Sequence, residues 1–557
     1  MPRMWICTAV TAGSNREASK VKYENGRPWP LGASRDQDGW NFAVSSDESV
    51  NLILFQDDKS LSLPMKKTLG QVYAVRVKEH LSDNVKYMFE TKGKLFADPA
   101  GRDVRKPGVF AEKIPVSQIR CALPDVLSPA VLKRNVNGAA VCLHVRGFTK
   151  CASSGVSSPG TFEGAAEKFP FLKSLGFEEV ILLPIYDFFE RRGGKTNYWG
   201  YGGGHFFSPN SHLAGSASGR KSFHALVKAA EKCGLALTLY MPFSADVGTL
   251  KARECLLSYR TDYGIRDFIL NPPNVNLAVL KEDPRFADMR LETLDDGFMY
   301  TVRQFLRGDA GFALLGGKAF SESGLHYVAR HTGFTLRDLY MFERKHNEMN
   351  GEGNFDGPEE DFGCNCGVEG PSEEENIRTL RRQLIRNAAF ITLLSRGRPV
   401  MTAEDVLMHS RKGNNNPYCQ DNFLTRPDWE KKDEDFLTYI RALMDFRSRH
   451  PLLREENAAP LGSVPVSFHG ESAWMSPAHR YERGVGVMYA GERESLLVLM
   501  NPWGEPFEAG LPSAPFGPWK KRFSSVCGTV DHGETYKGIR KTVAPWEMEI
   551  LVSEKRG

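Results

Sequence analysis

The chain has no run of about 18 apolar residues, so it lacks the length of sequence a membrane-spanning helix requires. Its opening stretch, Met1 to Lys22, has no apolar h-region and no small-residue cleavage site, and reads as an untargeted lead-in to a cytoplasmic protein. Excess charge of one sign is also missing. The 72 Lys and Arg against 68 Asp and Glu leave +4 on 62.3 kDa, too little to favour nucleic acid or an anionic membrane and better suited to an uncharged partner. Ten cysteines are scattered from Cys7 to Cys527 without the paired spacing of a zinc site. Cys364-Asn365-Cys366 has the wrong interval and no second pair downstream, so the expectation is reduced thiols with no metal and no cofactor. Internal repeats and low-complexity tracts are absent as well.

What is present is length and pattern. At 557 residues the chain exceeds a single core, and about two to four domains is the expectation. After a flexible lead-in over 1–25, residues 26–110 carry short β-like runs between polar turns (Trp40 to Val44, Val50 to Phe55, Val72 to Val77, Tyr87 to Thr91), which predicts a small β-sandwich. Over 136–455 strand-like apolar runs alternate with helical periodicity: strand at Ala139 to Val145, helix at Glu163 to Leu175, strand at Val180 to Pro184, helix at Phe223 to Cys233, strand at Ala236 to Pro242. Repeated βα units predict a parallel sheet with helical cover. Residues 460–557 return to short alternating strands such as Ser495 to Met500 and Met548 to Ser553, and predict a second β-sandwich.

Five motifs stand out in the middle block. They are His144-Val145-Arg146-Gly147-Phe148-Thr149, Asn197-Tyr198-Trp199-Gly200-Tyr201, the run His331-Thr332-Gly333-Phe334-Thr335-Leu336-Arg337-Asp338-Leu339, Lys345-His346-Asn347-Glu348, and the Asn-rich stretch Gly413 to Asn422. Together they resemble isoamylase-type glycogen-debranching enzymes of the α-amylase superfamily (glycoside hydrolase family 13), over most of the chain. Pro30-Leu31-Gly32-Ala33 with Gly39 to Val44 is similar to the N-terminal glycogen-binding-type module of such enzymes. The resemblance implies a multidomain α/β chain: a central (β/α)8 TIM barrel flanked by an N-terminal and a C-terminal β-sandwich.

It also implies a chemistry, which the residues then deny. Retaining glycosidases use a carboxylate nucleophile and a protonated carboxylic acid around an oxocarbenium-like transition state, and a barrel presents such groups at the C-terminal ends of its strands. By the resemblance, the transition-state-stabilising Asp that follows the His is Thr332. Aligning Tyr263 to Pro273 with the fourth strand places Ile269 at the family's Arg and Asn271 at the nucleophile. Arg290 to Asp295 aligns with the general-acid stretch and puts Glu292 at the acid. Tyr240 to Ala245, at the third strand, lacks the family's Asp, Asn and His. Asp267 shares a strand face with Asn271 but lies four residues, roughly 13 Å, towards the stability end of a barrel. Only 18 residues separate Ala245 from Gly264, where the family carries a long insert. Losing two facing carboxylates raises such a barrier by more than about 5 kcal/mol, about four orders of magnitude in rate.

The expectation is therefore an inactive pseudoenzyme of α-glucan metabolism with vestigial positions at Asn271, Glu292 and Thr332. Tyr198, Trp199 and Tyr201 would offer aromatic faces to sugar rings, Tyr198 at the position that stacks on the cleaved sugar, and His331 a donor. Trp29 and Trp40 offer similar faces in the N-terminal module, and all of these residue types equally serve as core packing. The implied partners are an α-glucan, or a homo- or hetero-oligomer with an active debranching enzyme, and neither nucleic acid nor membrane. Two alternatives stand beside this reading. One is an active α-1,6-glucosidase pairing Glu292 with an unrecognised carboxylate; the other is a structural or interaction protein without glucan affinity.

Overall fold

The computed structural model describes residues 21–36, 38–56, 59–105, 120–125, 127–133, 138–215, 218–271, 274–309, 324–454, 466–477, 482, 484–530 and 533–555; most of the lead-in 1–25 lies outside them. Its centre is an all-parallel sheet of seven strands: β1 (Ala140–Leu143), β2 (Glu179–Leu182), β3 (Ala236–Met241), β4 (Asp267–Leu270), β5 (Arg290–Glu292), β6 (Leu325–His326) and β7 (Arg398–Thr402). Their order is β5-β4-β3-β2-β1-β7-β6. Consecutive βα units thus wrap as a barrel wall whose first strand pairs its last long one.

Five long helices cover or extend this wall: α1 (Gly219–Cys233), α2 (Thr249–Tyr263), α3 (Gly297–Arg307), α4 (Glu375–Leu394) and α5 (Glu434–Arg449). None among the described residues is long and apolar enough to cross a membrane. Ser218 caps α1 by accepting from the Lys221 N–H at 3.3 Å, which starts this helix four residues earlier than periodicity alone suggests. The stretch Glu163 to Leu175, expected as one helix, is two: Phe162–Glu167 and Phe169–Ser174. Pro170 sits in the first turn of the second, where its missing N–H costs nothing, and cannot continue the first. Ala139 to Val145, expected as one strand, stops at Leu143, because His144 caps a short helix, Val145–Lys150, by accepting from the Gly147 N–H.

β3 is buried at every residue, as a strand covered on both faces must be. Leu237, Leu239 and Met241 face the helices, while Tyr240 joins Ala140, Ile181, Ile269, Leu325 and Val400 inside the barrel. Ahead of the barrel, two antiparallel sheets enclose Phe42, Leu52, Leu54, Val75, Tyr87 and Phe89. Behind it, an antiparallel sheet built on Val485–Ala490, Glu494–Met500, Trp519–Ser524 and Met548–Glu554 uses its two faces differently. Leu497, Leu499 and Leu551 pack with Trp519 and Phe507; Val487, Val498, Phe523 and Ile550 belong to the barrel's own core. Phe523 meets Phe390 of α4 and Tyr439 and Phe446 of α5 at ring centroid separations of 5.4–6.0 Å.

Candidate functional site

Register fixes the height of every side chain inside the barrel. Asp267 pairs in register with Arg290, and Ile269 pairs with Glu292 on one side and Tyr240 on the other. Side chains alternate, so Asp267, Ile269 and Asn271 share the inward face of β4 and its extension at successive levels. The lowest level is ionic. Arg290 Nη2 lies 3.2 Å from both Glu179 and Asp267, Thr238 Oγ1 donates to Glu179 at 2.5 Å, and Arg398 Nη1 lies 3.4 Å from Glu179. Asp267 is thus a lattice member at the floor of the barrel, four residues from Asn271.

Glu292 belongs to this lattice too. Its carboxylate accepts from Arg398 Nη2 and lies 3.7 Å from Arg290 Nε. By register it stands level with Ile269, one pleat, roughly 6–7 Å, below Asn271. Asn271 itself is exposed, with its amide hydrogen-bonded to Tyr240. Thr332 is half-buried on the segment after β6. The three positions that the resemblance groups as a catalytic trio are an amide and a hydroxyl in the upper part and a carboxylate bound downward. Ile269, 2% exposed, is interior packing.

Above the lattice the mouth is filled by aromatic groups. The Tyr201 hydroxyl lies 2.5 Å from His331 Nε2 and donates to Tyr240 at 3.3 Å. With the Tyr240–Asn271 bond this makes a chain across the barrel top from the segment after β6 to the end of β4. Trp199 meets His331 edge-on at 5.4 Å. Tyr198 stacks on His144 at 4.1 Å, its N–H donating to Tyr418 O at 2.9 Å and its hydroxyl to Thr425 O at 3.2 Å. Tyr198, Trp199 and His331 are each 5% exposed; Tyr201 is half-buried. Four of the expected binding residues are therefore gathered in one place, yet with their faces against each other. Two cavities remain among them, each of about 30 Å³. That is room for a few waters at most, against the several hundred Å³ typical of organic ligand sites. Of the N-terminal aromatics, Trp40 is core at 6% exposure and Trp29 is exposed at 37%.

The long motifs owe their residues to scaffolding. Arg411, ion-paired to Glu404, donates through Nη1 to His331 O at 2.8 Å and Gly333 O at 3.3 Å. Gly333 has φ +81, and a Cβ there would meet Asp361 Oδ1 at 2.9 Å. Asp338 accepts from Ser410 Oγ at 2.5 Å and the Arg411 N–H at 2.7 Å. In the Asn-rich stretch Asn415 accepts from Asn347 and Gln420 donates to Met349 O and Asn350. Asp421 pairs with Arg146 and Arg426. Sequence reasoning missed Arg398, Tyr240, Glu404 and Arg411 as shapers of this site. Arg398 had a signal: a charge opening an otherwise apolar strand needs a buried partner.

Burial governs the ionisation here. It pulls His144 from 6.5 down to about 4, and His331 well below 6.5, while it raises the Glu404 carboxyl above its ordinary range against the pull of Arg411. His144 Nδ1 accepts from Gly147 N–H, so Nε2 carries the proton given to Tyr198 O at 2.8 Å.

No family model matches the sequence. Among known proteins it is similar to isoamylase 1, chloroplastic, of Arabidopsis thaliana, with 26% identity over 76% of this chain and 75% of that one. It is likewise 26% identical to a glycogen debranching enzyme of Erwinia tasmaniensis over 91% and 97% of the two chains. Among solved structures, the fold is shared with a Bacillus subtilis type I pullulanase complexed with maltose, at TM-score 0.73 and 17% identity over 94% of this chain and 85% of that one. A Paenibacillus barengoltzii pullulanase in complex with maltohexaose and α-cyclodextrin gives TM-score 0.71 and 18% identity, over 95% of each.

Two outcomes follow. Arg398→Ala takes one of two guanidinium partners from each of Glu292 and Glu179 and is expected to cost up to about 3–5 kcal/mol, read as a lowered urea midpoint; an unchanged midpoint contradicts the lattice. His144 is neutral when folded but protonates below pH 6.5 when unfolded, so its contribution is complete above 6.5 and lost as pH falls towards about 4. His144→Gln should therefore lose less stability than the parent across that window, and equal losses contradict the assignment.

Proposed function

Because the chain is an isoamylase-type, glycogen-debranching-type member of the α-amylase superfamily, we propose that it is a non-hydrolytic member that binds α-glucan. The observation that carries this reading is the fate of Glu292. The one carboxylate left at the aligned catalytic positions is bound by Arg398 and lies a pleat below an exposed Asn271. A retaining mechanism needs two carboxyl groups about 5–5.5 Å apart across the sugar, and Asn271 and Thr332 supply neither a nucleophile nor charge for the cation-like transition state.

Glucan contact then falls outside the filled mouth. Phe189, Phe355 and Phe423 are 42%, 87% and 51% exposed on the loops that follow β2, β6 and β7, and Tyr418 is half-buried on the loop after β7. Flat apolar faces of this kind suit the apolar faces of glucose rings, as the near-neutral charge suits an uncharged polymer. The nine described cysteines are all free, which supports a reducing compartment such as the cytoplasm.

The purified protein should be retarded in a native gel containing glycogen and should release no reducing ends from glycogen or pullulan at high concentration. Reducing-end release would establish the α-1,6-glucosidase reading instead. Absence of both retardation and release would leave a protein that works through an active debranching partner, to be sought by pull-down. Combining Ile269→Arg, Asn271→Asp and Thr332→Asp should not restore hydrolysis, since Glu292 stays tied to Arg398.

A further inference from the structure

Cys364 and Cys366 take no part in the barrel mouth, yet the fold holds them with care. They lie on the loop between β6 and α4, which is pinned to the segment after His331. The Cys364 N–H donates to Leu339 O at 2.8 Å and the Gly370 N–H to Met341 O at 2.7 Å. Arg381 of α4 grips the same loop from beneath, donating to Asn365 O and Gly370 O at 2.7 Å each and to Val368 O. Cys366 adopts φ +56, an uncommon conformation for a residue with a side chain. Its thiol reaches back to Cys364 O at 3.7 Å. Two residues of chain separate Cα atoms by at most about 7.2 Å, near the upper limit of about 6.8 Å for a disulfide, and this turn shortens the span.

The surroundings divide the pair into unequal members. Both are half-buried, open to small reagents. The neighbouring Cys366 thiol, with Arg307 nearby, outweighs burial and draws the Cys364 thiol down to about 6, while Cys364 and burial raise Cys366. A thiolate beside a protonated thiol is an attacking and a resolving group.

We propose that Cys364 and Cys366 form a thiol–disulfide exchange site for low-molecular-weight disulfides of the glutathione class. The Cys364 thiolate attacks one sulfur of glutathione disulfide, forming a mixed disulfide and expelling one glutathione thiolate. The Cys366 sulfur then attacks Cys364 Sγ and expels the second glutathione. The Cys366 proton leaves with a glutathione. Two protein thiols become one disulfide, and one glutathione disulfide becomes two thiols.

The test uses the full-length reduced protein, equilibrated anaerobically with glutathione and glutathione disulfide at graded ratios, alkylated, digested and weighed. The peptide holding both cysteines should lose two hydrogen atoms, at ratios where the exposed Cys527 carries only a glutathione adduct. Cys366→Ser should trap glutathione on Cys364, and Cys364→Ser should slow adduct formation at Cys366 at least tenfold at pH 7. If both thiols alkylate at the rate of Cys527 and no internal disulfide forms at any ratio, the proposal fails. It also fails if Cys366→Ser accumulates no adduct on Cys364 faster than on Cys527. These readouts are independent of glucan binding and hydrolysis.

Discussion

The guanidinium of Arg398 sets the terms for the barrel. It opens β7 and reaches across the interior to Glu292 on β5 and Glu179 on β2. β5 ends the sheet order and β2 stands at its middle, so the two contacts tie β7 to separate parts of the wall. Ion pairs of this kind are weak evidence of net stability, since desolvation offsets most of their attraction, but they make single losses expensive. Once Arg398 and Arg290 stand in the interior, Glu179, Asp267 and Glu292 are the carboxylates that face them. A carboxyl group that could otherwise have turned upward is held in the frame.

The filled mouth follows from the same substitutions. A catalytic cleft keeps ionised carboxylates apart and hydrated until substrate arrives. Here Asn271 and Thr332 stand at two of the corresponding positions, and such neutral groups pack. Tyr240 bridges Asn271 to Tyr201, and Tyr201 meets His331, whose imidazole burial keeps uncharged. Phenols, an amide and a neutral imidazole satisfy one another, and the voids left among them are of about 30 Å³ each.

How much of this was legible in the sequence depends on range. Val72–Val77 is the predicted strand residue for residue, because its apolar pattern is local. The break at Pro170 and the capping turn at His144 were misread because one residue's backbone chemistry overrode a good apolar pattern. At the site, the amide at Asn271 and the hydroxyl at Thr332 could be read as losses from side-chain type alone. The downward commitment of Glu292 could not, since its partner lies 106 positions away and no periodicity links them. Tyr198, Trp199 and His331, expected to face a sugar, lie together against one another, an occlusion that no local pattern reveals.

The terminal sheet turns one face inward to the barrel's helices. Phe523 sits among rings from α4 and α5, and Gln383 and Asn387 of α4 donate to Trp546 O at 3.1 and 2.8 Å. A boundary drawn in the sequence near residue 460 is therefore not a seam in the packing. Cutting there would expose a sheet face and two helix faces at once, so barrel and terminal sheet should melt as a single cooperative unit, and neither is a detachable part to be expressed or exchanged on its own.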